Sequence, residues 1–387
     1  MNDTPAEPFD CAIVGAGIAG ASLAYQLAPH ARVLLLERES QPGYHTTGRS
    51  AAMFMESYGP PQARALTRAS RGFYTAPPAG FTELPLLQPR GALYIGWSGD
   101  EARLDEVEAE LRATGSVIQR IDAAAARALC PVLRPLGLLG GLWEADAMDI
   151  DVHALHHGFL RGARHPLSGP GATLRCGAGL ARAESNAAGW TLTLDDGSQV
   201  TTHTLVNAAG AWADAVATIA GARPRGLQPN RRSAFSFAAP ADIDVRHWPA
   251  VDRVDDSWYF KPDAGRLLGS PANVDPVPPH DVQPEELDIA LGIHRIQQCT
   301  TLEIRRPQRT WAGLRTFAPD GELVIGWDGA VNGFFWLCGQ GGYGIQTAWA
   351  AGALAAALWR GVALPPELQA AGVEPARLAP TRFGPSA

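Results

Sequence analysis

The chain has 387 residues, 46% of them hydrophobic, which is enough for about two domains with sizeable cores. Its net charge is −7, from 32 basic and 39 acidic residues, and the absence of a basic block argues against nucleic acid as a partner. Five widely spaced cysteines fit a reducing compartment better than a disulfide framework, and no cysteine and histidine cluster indicates a metal site.

The first 37 residues predict a strand, a helix and a second strand. Residues 9–15 are an apolar run typical of a buried parallel strand, and residues 32–37 form a second such run. Between the first strand and the helix lie three glycines in a G-x-G-x-x-G spacing, Gly15, Gly17 and Gly20. Such glycines turn the chain, let the backbone approach a pyrophosphate and let the helix pack on the strand.

Glu37 ends the second strand, 20 residues beyond Gly17. An acid at this distance bonds a ribose hydroxyl in dinucleotide-binding domains. Strand, helix, second strand and acid therefore all predict the same dinucleotide site.

The middle of the chain predicts helices mixed with antiparallel strands. We expect strands near 91–97, a helix over about 100–113, a helix over 151–164 capped by Asp149 or Asp151, a hairpin over 190–206 that turns at Asp196-Gly197, antiparallel strands within 230–270 and a helix over 284–298.

The C-terminal part predicts a buried strand over 333–338, a GQGGYG loop and an alanine-rich helix to about Arg360. The apolar stretch at 345–358 is shorter than the roughly 20 residues of a membrane span. The N-terminus lacks the basic start and apolar run of a signal peptide. We therefore expect a cytoplasmic protein without a membrane span, and a surface extension from Pro365.

Elements that suit a nucleotide domain lie at the start, middle and end of the chain, which predicts two interleaved domains. We expect an α/β fold, with a Rossmann-like dinucleotide-binding domain and an α+β substrate domain built on an antiparallel sheet. The former comprises residues 1–59, 146–224 and 313–387, and the latter residues 60–145 and 225–312.

Two further glycine turns favour FAD over NAD. Asn207-Ala208-Ala209-Gly210-Ala211-Trp212 follows one strand, and Gly339-Gln340-Gly341-Gly342-Tyr343-Gly344 precedes the last helix. Extra turns at strand ends suit a long, extended cofactor, and the last helix could direct its positive end at the flavin pyrimidine ring.

The motifs DCAIVGAGIAGAS, LLLERESQPGYHTTGRSAA, RRSAF, WYFKPDAG, TWAGLRTF and GFFW…QGGYGIQT follow one another along nearly the whole chain. Together they resemble the D-amino acid oxidase/dehydrogenase family, and most closely the bacterial FAD-dependent D-arginine dehydrogenases. The resemblance implies that hydride passes from the α-carbon of a D-amino acid to flavin, and that the imino acid then hydrolyses to a 2-oxo acid and ammonia.

The resemblance also implies the site residues. The substrate carboxylate would be held by Arg232, Arg315, Tyr259 and Tyr58, and the carbonyl of Gly342 would receive the amine. An arginine fork matches a carboxylate, and two arginines brought together would be relieved by such an anion. Arg305 and Arg306 are better explained as surface or ion-pair residues.

Together with the glycine turns, the resemblance assigns non-covalent FAD contacts to Gly15, Ala16, Gly17, Ile18, Ala19, Gly20, Glu37, Arg38, Thr47, Gly48, Arg49, Ser50, Ala51, Ala52, Leu180, Ala208, Gly210, Trp212, Gly313, Arg315, Gly341, Gly342, Tyr343, Gly344, Ile345 and Gln346. His45 lies in the cofactor loop, where a catalytic role and a backbone hydrogen bond both stay open. Cys338 is better explained as a buried strand residue than as a flavin attachment point.

The sequence departs from the arginine-specific pattern in the side-chain pocket. Met53 and Ala92 stand where those enzymes place a histidine and the acid that pairs with the guanidinium, and Met55 replaces a small polar residue. A buried guanidinium without a partner is costly, so we expect apolar or neutral D-amino acids to be preferred over D-arginine. Glu56 could supply an acid, but on a strand it points away from both methionines.

Two alternatives stay open. The substrate could be sarcosine, glycine or another secondary amine, or the chain could be a non-catalytic FAD-binding subunit. The electron acceptor, whether quinone, carrier or oxygen, and the oligomeric state are not decided by the sequence.

Overall fold

The N-terminal βαβ unit forms as the sequence predicts. In the computed structural model, which describes residues 7–384, β1 (Phe9–Val14) is followed by α1 (Ile18–Leu27) and β2 (Val33–Leu36), and the two strands pair in parallel. At the glycine turn, Gly15 has a φ of +104°, and a Cβ on Gly20 would lie 1.9 Å from the Gly15 carbonyl oxygen. The third glycine therefore sets how closely the helix packs on the strand.

This unit is the centre of an eight-stranded sheet. The chain adds β9 (Ala172–Arg175), β10 (Leu180–Asn186), β11 (Gly189–Leu194), β12 (Gln199–Asn207), β19 (Val324–Trp327) and β20 (Phe334–Cys338). Strand β12 pairs in parallel with β1 and β20, and antiparallel with β11 through the predicted hairpin.

Both faces of this sheet are buried, which explains its continuous apolar runs. Helices α1, α5 (Val152–Arg164) and α8 (Ala348–Arg360) pack on one face, and α6 (Ala213–Ile219) packs on the other. Asp151 caps α5, because its carboxylate accepts a hydrogen bond from the Ala154 amide at 2.8 Å.

A second sheet has nine strands, most of them antiparallel. They are β5 (Ala92–Trp97), β6 (Gln119–Asp122), β7 (Leu138–Glu144), β13 (Gln228–Phe237), β14 (Ala250–Arg253), β15 (Tyr259–Asp263), β16 (Arg266–Ser270), β17 (Asp275–Pro276) and β18 (Arg309–Phe317). Helices α3 (Glu101–Ala113), α4 (Ala123–Leu129) and α7 (Glu286–Cys299) accompany it, and a small third sheet joins β3 (Met53–Phe54), β4 (Leu87–Pro89) and β8 (Met148–Ile150).

The two faces of the second sheet differ in character. Alternate residues such as Leu93, Phe235, Val251 and Phe260 form an apolar core with α7. The residues between them project from the opposite face. The antiparallel strands expected within 230–270 are confirmed.

The domain limits stay a prediction. Two elements of the structure cross them. Helix α2 (Pro61–Thr75) lies in the same hydrophobic core as α1 and α8, although residues 60–145 were assigned to the substrate domain. Strand β18 pairs along its whole length with β13 of the second sheet, although residues from 313 were assigned to the FAD-binding domain.

The expectation of a surface extension from Pro365 is wrong. The tail forms α9 (Pro366–Ala370) and α10 (Pro375–Leu378), and Leu368, Val373 and Leu378 are buried in the core that contains α1. These apolar side chains recur between prolines that break the helical pattern, so the sequence resembles a loop while its apolar residues still pack. Within residues 7–384, no helix is long and apolar enough to cross a bilayer.

Candidate active site

The glycine turn and Glu37 form one hydrogen-bonded unit. The Glu37 carboxylate accepts hydrogen bonds from the Ala16 amide at 3.1 Å and the Glu39 amide at 3.0 Å. The hydroxyl of Thr47 accepts one from the Ile18 amide at 3.0 Å. Burial raises the pKa of Glu37 despite these bonds. The unit therefore fixes the N-terminus of α1, where the helix dipole favours an anion.

A cavity of about 360 Å³ runs beside this unit. Twenty of the predicted cofactor residues line it: Gly15, Gly17, Ile18, Ala19, Glu37, Arg38, Thr47, Arg49, Ser50, Ala51, Leu180, Ala208, Gly210, Trp212, Gly313, Arg315, Gly341, Gly342, Gly344 and Ile345. The three glycine turns of the sequence thus face one common space.

Six predicted cofactor residues are not among those that line the cavity: Ala16, Gly20, Gly48, Ala52, Tyr343 and Gln346. Gln346 has a clear supporting contact, because its side-chain oxygen accepts from the Met55 amide at 3.2 Å and its amide group donates to the Tyr58 carbonyl at 3.2 Å. It thereby holds the segment that carries Met55 and Tyr58 against the last glycine turn.

Strand register places four of the proposed substrate residues, Ala92, Arg232, Tyr259 and Arg315, on one face of the second sheet. Ala92 is opposite Glu144 and Ala250, Asp252 is opposite Tyr94 and Tyr259, and Arg232 is opposite Gly313. Residues opposite each other in neighbouring strands project to the same side. This face, away from the apolar core, is where Arg232 and Gly313 line the cavity.

Arg315, Tyr58 and Gly342 come together at the cavity. The Arg315 guanidinium lies 3.5 Å from the Tyr58 hydroxyl, and a Cβ on Gly342 would lie 2.7 Å from that hydroxyl. A side chain at position 342 would therefore displace the Tyr58 hydroxyl.

Arg232 is the second guanidinium of the group. Burial, and then the charge of Arg315, lower the pKa of Arg232. Its Nε is buried, and no described residue accepts a hydrogen bond from it. An orphaned buried donor beside a second cation fits an anionic group.

The residues predicted to form the substrate side-chain pocket also lie next to one another. Met55, Ala92 and Ala147 form a small apolar cluster, and Met53 and Tyr94 pack against it. Glu56 does not join them, because its carboxylate forms a 2.5 Å ion pair with Arg71. His45 lines the cavity, and its Nε2 lies 2.9 Å from the Glu39 carboxylate.

Sequence reasoning missed several residues at this cavity. Tyr44 and Thr46 line it, and they lie in the PGYHTTG loop whose position between β2 and the third sheet could have indicated them. Ala178, Gly179 and Asp195 also line it, but they lie in loops without a motif. Asp252, on the same sheet face as Tyr259, had no local signal at all.

Comparison with known proteins identifies the family. The model of the FAD dependent oxidoreductase family named DAO matches residues 10–358. The chain belongs to this family. The match confirms the predicted fold class, and with it FAD is established as the cofactor and oxidation–reduction as the activity.

Solved structures show how widely this family fold extends. Glycine oxidase from Geobacillus kaustophilus is 21% identical with a TM-score of 0.82, covering 97% of this chain and 99% of that one. Iminodiacetate oxidase from Chelativorans sp. BNC1 is 22% identical with a TM-score of 0.81, covering 96% and 98%. L-Proline dehydrogenase from P. horikoshii is 20% identical with a TM-score of 0.80, covering 97% and 98%. At these low identities, the similarity shows a shared fold alone.

The residues that line the cavity have the chemistry that FAD binding requires. The glycine turn and the start of α1 would hold the pyrophosphate, and Glu37 would face the ribose. Cys338, the cysteine nearest the last glycine turn in sequence, is fully buried in β20 within the core that contains α6. Its position agrees with FAD held without a covalent bond.

Proposed function

We propose that the protein oxidises D-amino acids, preferring apolar or neutral side chains over D-arginine, and releases an imino acid that hydrolyses to a 2-oxo acid and ammonia. The observation that carries this proposal is the pair Arg232 and Arg315, which project from one sheet face into the cavity with Tyr58 and Gly342 beside them. Among residues 7–384, neither guanidinium forms an ion pair with an acid, so an anionic ligand would balance their charge, and an α-carboxylate has the matching planar shape.

These residues would position the substrate. The guanidiniums and the Tyr58 and Tyr259 hydroxyls would hold the carboxylate, and the Gly342 carbonyl would accept a hydrogen bond from the amine. FAD, when bound, supplies the two-electron acceptor at the α-carbon. The protein itself contributes orientation, which brings the Cα–H bond to the flavin at a fixed distance.

The apolar cluster of Met53, Met55 and Ala92 supports a substrate with an uncharged side chain. Methionine side chains adapt to varied apolar shapes, and an alanine at position 92 offers no partner to a guanidinium. The D configuration is supported by the family resemblance of the motifs.

Glycine, sarcosine or another secondary amine is the alternative substrate class. The same arginines would hold their carboxylates, and the proteins of this fold include a glycine oxidase and an iminodiacetate oxidase. The apolar pocket favours the first proposal, because glycine and sarcosine have no side chain to fill it.

Anaerobic bleaching of the bound flavin tests the proposal. The panel comprises D-leucine, D-methionine, D-phenylalanine and D-arginine, their L-enantiomers, glycine and sarcosine. We expect the neutral D-amino acids to bleach the flavin with the highest kcat/KM. A clear advantage for D-arginine contradicts the pocket argument, and an advantage for sarcosine or glycine selects the alternative. No bleaching by any compound indicates a non-catalytic FAD-binding subunit.

A further inference from the structure

Asp252 is an acid on the same face of the second sheet as Tyr259 and Arg232, and the proposed function leaves its role unassigned. It lies in β14 between Tyr94 of β5 and Tyr259 of β15, directly opposite both. Its neighbour two residues back, Ala250, is opposite Ala92. Asp252 therefore projects between the apolar pocket and the tyrosine proposed to hold the carboxylate.

The charged and titratable groups on this face differ in whether they have partners. On the face itself they are Tyr94, Glu144, Arg232, Tyr259, Lys261 and Arg315, and Asp256 acts on Asp252 from the connection between β14 and β15. Glu144 accepts a 2.7 Å hydrogen bond from Ser57, and Lys261 pairs with Asp149 at 2.6 Å. Among residues 7–384, the Asp252 side chain has neither a hydrogen bond nor an ion pair.

Burial, and then the charge of Asp256, raise the pKa of Asp252 to about 7, although Arg232 and Arg315 act to lower it. A bound carboxylate would neutralise these arginines and so remove the effect that keeps Asp252 ionised. Two carboxylates beside the same arginines cannot both remain ionised without cost. Binding an amino acid therefore favours proton uptake at Asp252.

We propose that Asp252 accepts the proton that the substrate ammonium group loses before oxidation, an inference that rests on the proposed function. One N–H bond of the ammonium breaks, its electron pair stays on nitrogen, and an O–H bond forms on the Asp252 carboxylate. The neutral amine then has the nitrogen lone pair that allows its α-carbon to release hydride, for which FAD, when bound, would be the two-electron acceptor. Net charge in the cavity is conserved, since the proton stays within it.

Binding of butanoate, a carboxylate that carries no amine, tests this inference separately from the proposed function. Butanoate is titrated into the FAD-loaded protein by calorimetry between pH 6 and 9, in two buffers of different ionisation enthalpy. We expect wild-type protein to take up protons above pH 7 and to bind butanoate more weakly as pH rises. Asp252→Asn should show neither effect. This outcome stands even if no D-amino acid reduces the flavin.

Asp256→Asn is the matched control. Asp256 has a φ of +55°, a conformation that asparagine tolerates, and the substitution removes the same charge from the connection between β14 and β15. Because the charge of Asp256 raises the pKa of Asp252, Asp256→Asn should still take up protons on binding butanoate, but over a lower pH range than the wild type. No proton uptake by the wild type, or loss of uptake in Asp256→Asn alone, overturns the inference.

Flavin reduction supplies a second readout. At pH 7 we expect Asp252→Asn to slow reduction by a D-amino acid about 10²- to 10⁴-fold, the usual contribution of a general base. The deficit should shrink as pH rises, because the substrate then arrives with a neutral amine. An unchanged flavin spectrum establishes that the variant folds, and a deficit that is equal at every pH contradicts proton transfer.

Discussion

At the scale of one residue, a substitution of Arg315 tests the proposed carboxylate-binding site. Its guanidinium lines the cavity beside Tyr58 and Arg232. Arg315→Met should weaken carboxylate binding by about 2–5 kcal/mol, the range for truncating one partner of a desolvated charge pair. Flavin content should persist, because the glycine turn and Glu37 are untouched. The measurement is KM and kcat for the best substrate, with flavin absorbance alongside.

Arg305→Met is the control for that change. The side chain of Arg305 is 89% exposed and pairs with Glu303 at the surface. Its loss should leave kcat/KM unchanged, because exposed ion pairs contribute little. Unchanged kinetics in Arg315→Met would remove this arginine from the site.

At the scale of an element, the close contact between α1 and the glycine turn should be intolerant of a single methyl group. A Cβ on Gly20 would lie 1.9 Å from the Gly15 carbonyl oxygen, a backbone atom that cannot rotate away. Gly20→Ala should therefore displace α1, lower stability by about 1–3 kcal/mol and weaken FAD binding. Flavin retained after desalting and the thermal midpoint measure the two effects.

In helix α2, Gly72 allows the same glycine-to-alanine substitution at a position without a close backbone contact. A Cβ on Gly72 would meet no heavy atom within 4 Å. Gly72→Ala should keep flavin fully and raise stability by about 0.5–1 kcal/mol, because alanine loses less backbone freedom than glycine in a helix. Equal behaviour of the two variants would contradict the packing argument.

At the scale of the whole molecule, local patterns predicted the fold well and long-range pairings escaped prediction. The glycine turn, the Asp196-Gly197 hairpin and the Asp151 cap each depend on residues close in sequence, and each forms as predicted. The convergence of Arg315 with Tyr58 was indicated by family resemblance, since 257 residues separate them.

The position of Asp252 in the fold could not be predicted from the sequence. Asp252 shares a sheet face with Tyr94 and Tyr259 because β14 lies between β5 and β15 in one particular register. A shift of one residue would turn Asp252 into the apolar core and Val251 towards the cavity. The pairing with β15 is local, but the pairing with β5 joins segments about 160 residues apart in the chain, which no local pattern reveals.

The C-terminal tail shows how the two ends of the chain stabilise one core. Leu378 is fully buried in α10, in the core shared with α1 and β1. Leu378→Ala should lower the free energy of unfolding by about 2–5 kcal/mol, the usual cost of a buried leucine cavity. Leu287→Ala, at a 67% exposed position on α7, should change it by less than about 0.5 kcal/mol. Urea titrations of the two variants measure this difference, and equal midpoints would mean that the tail lies on the surface after all.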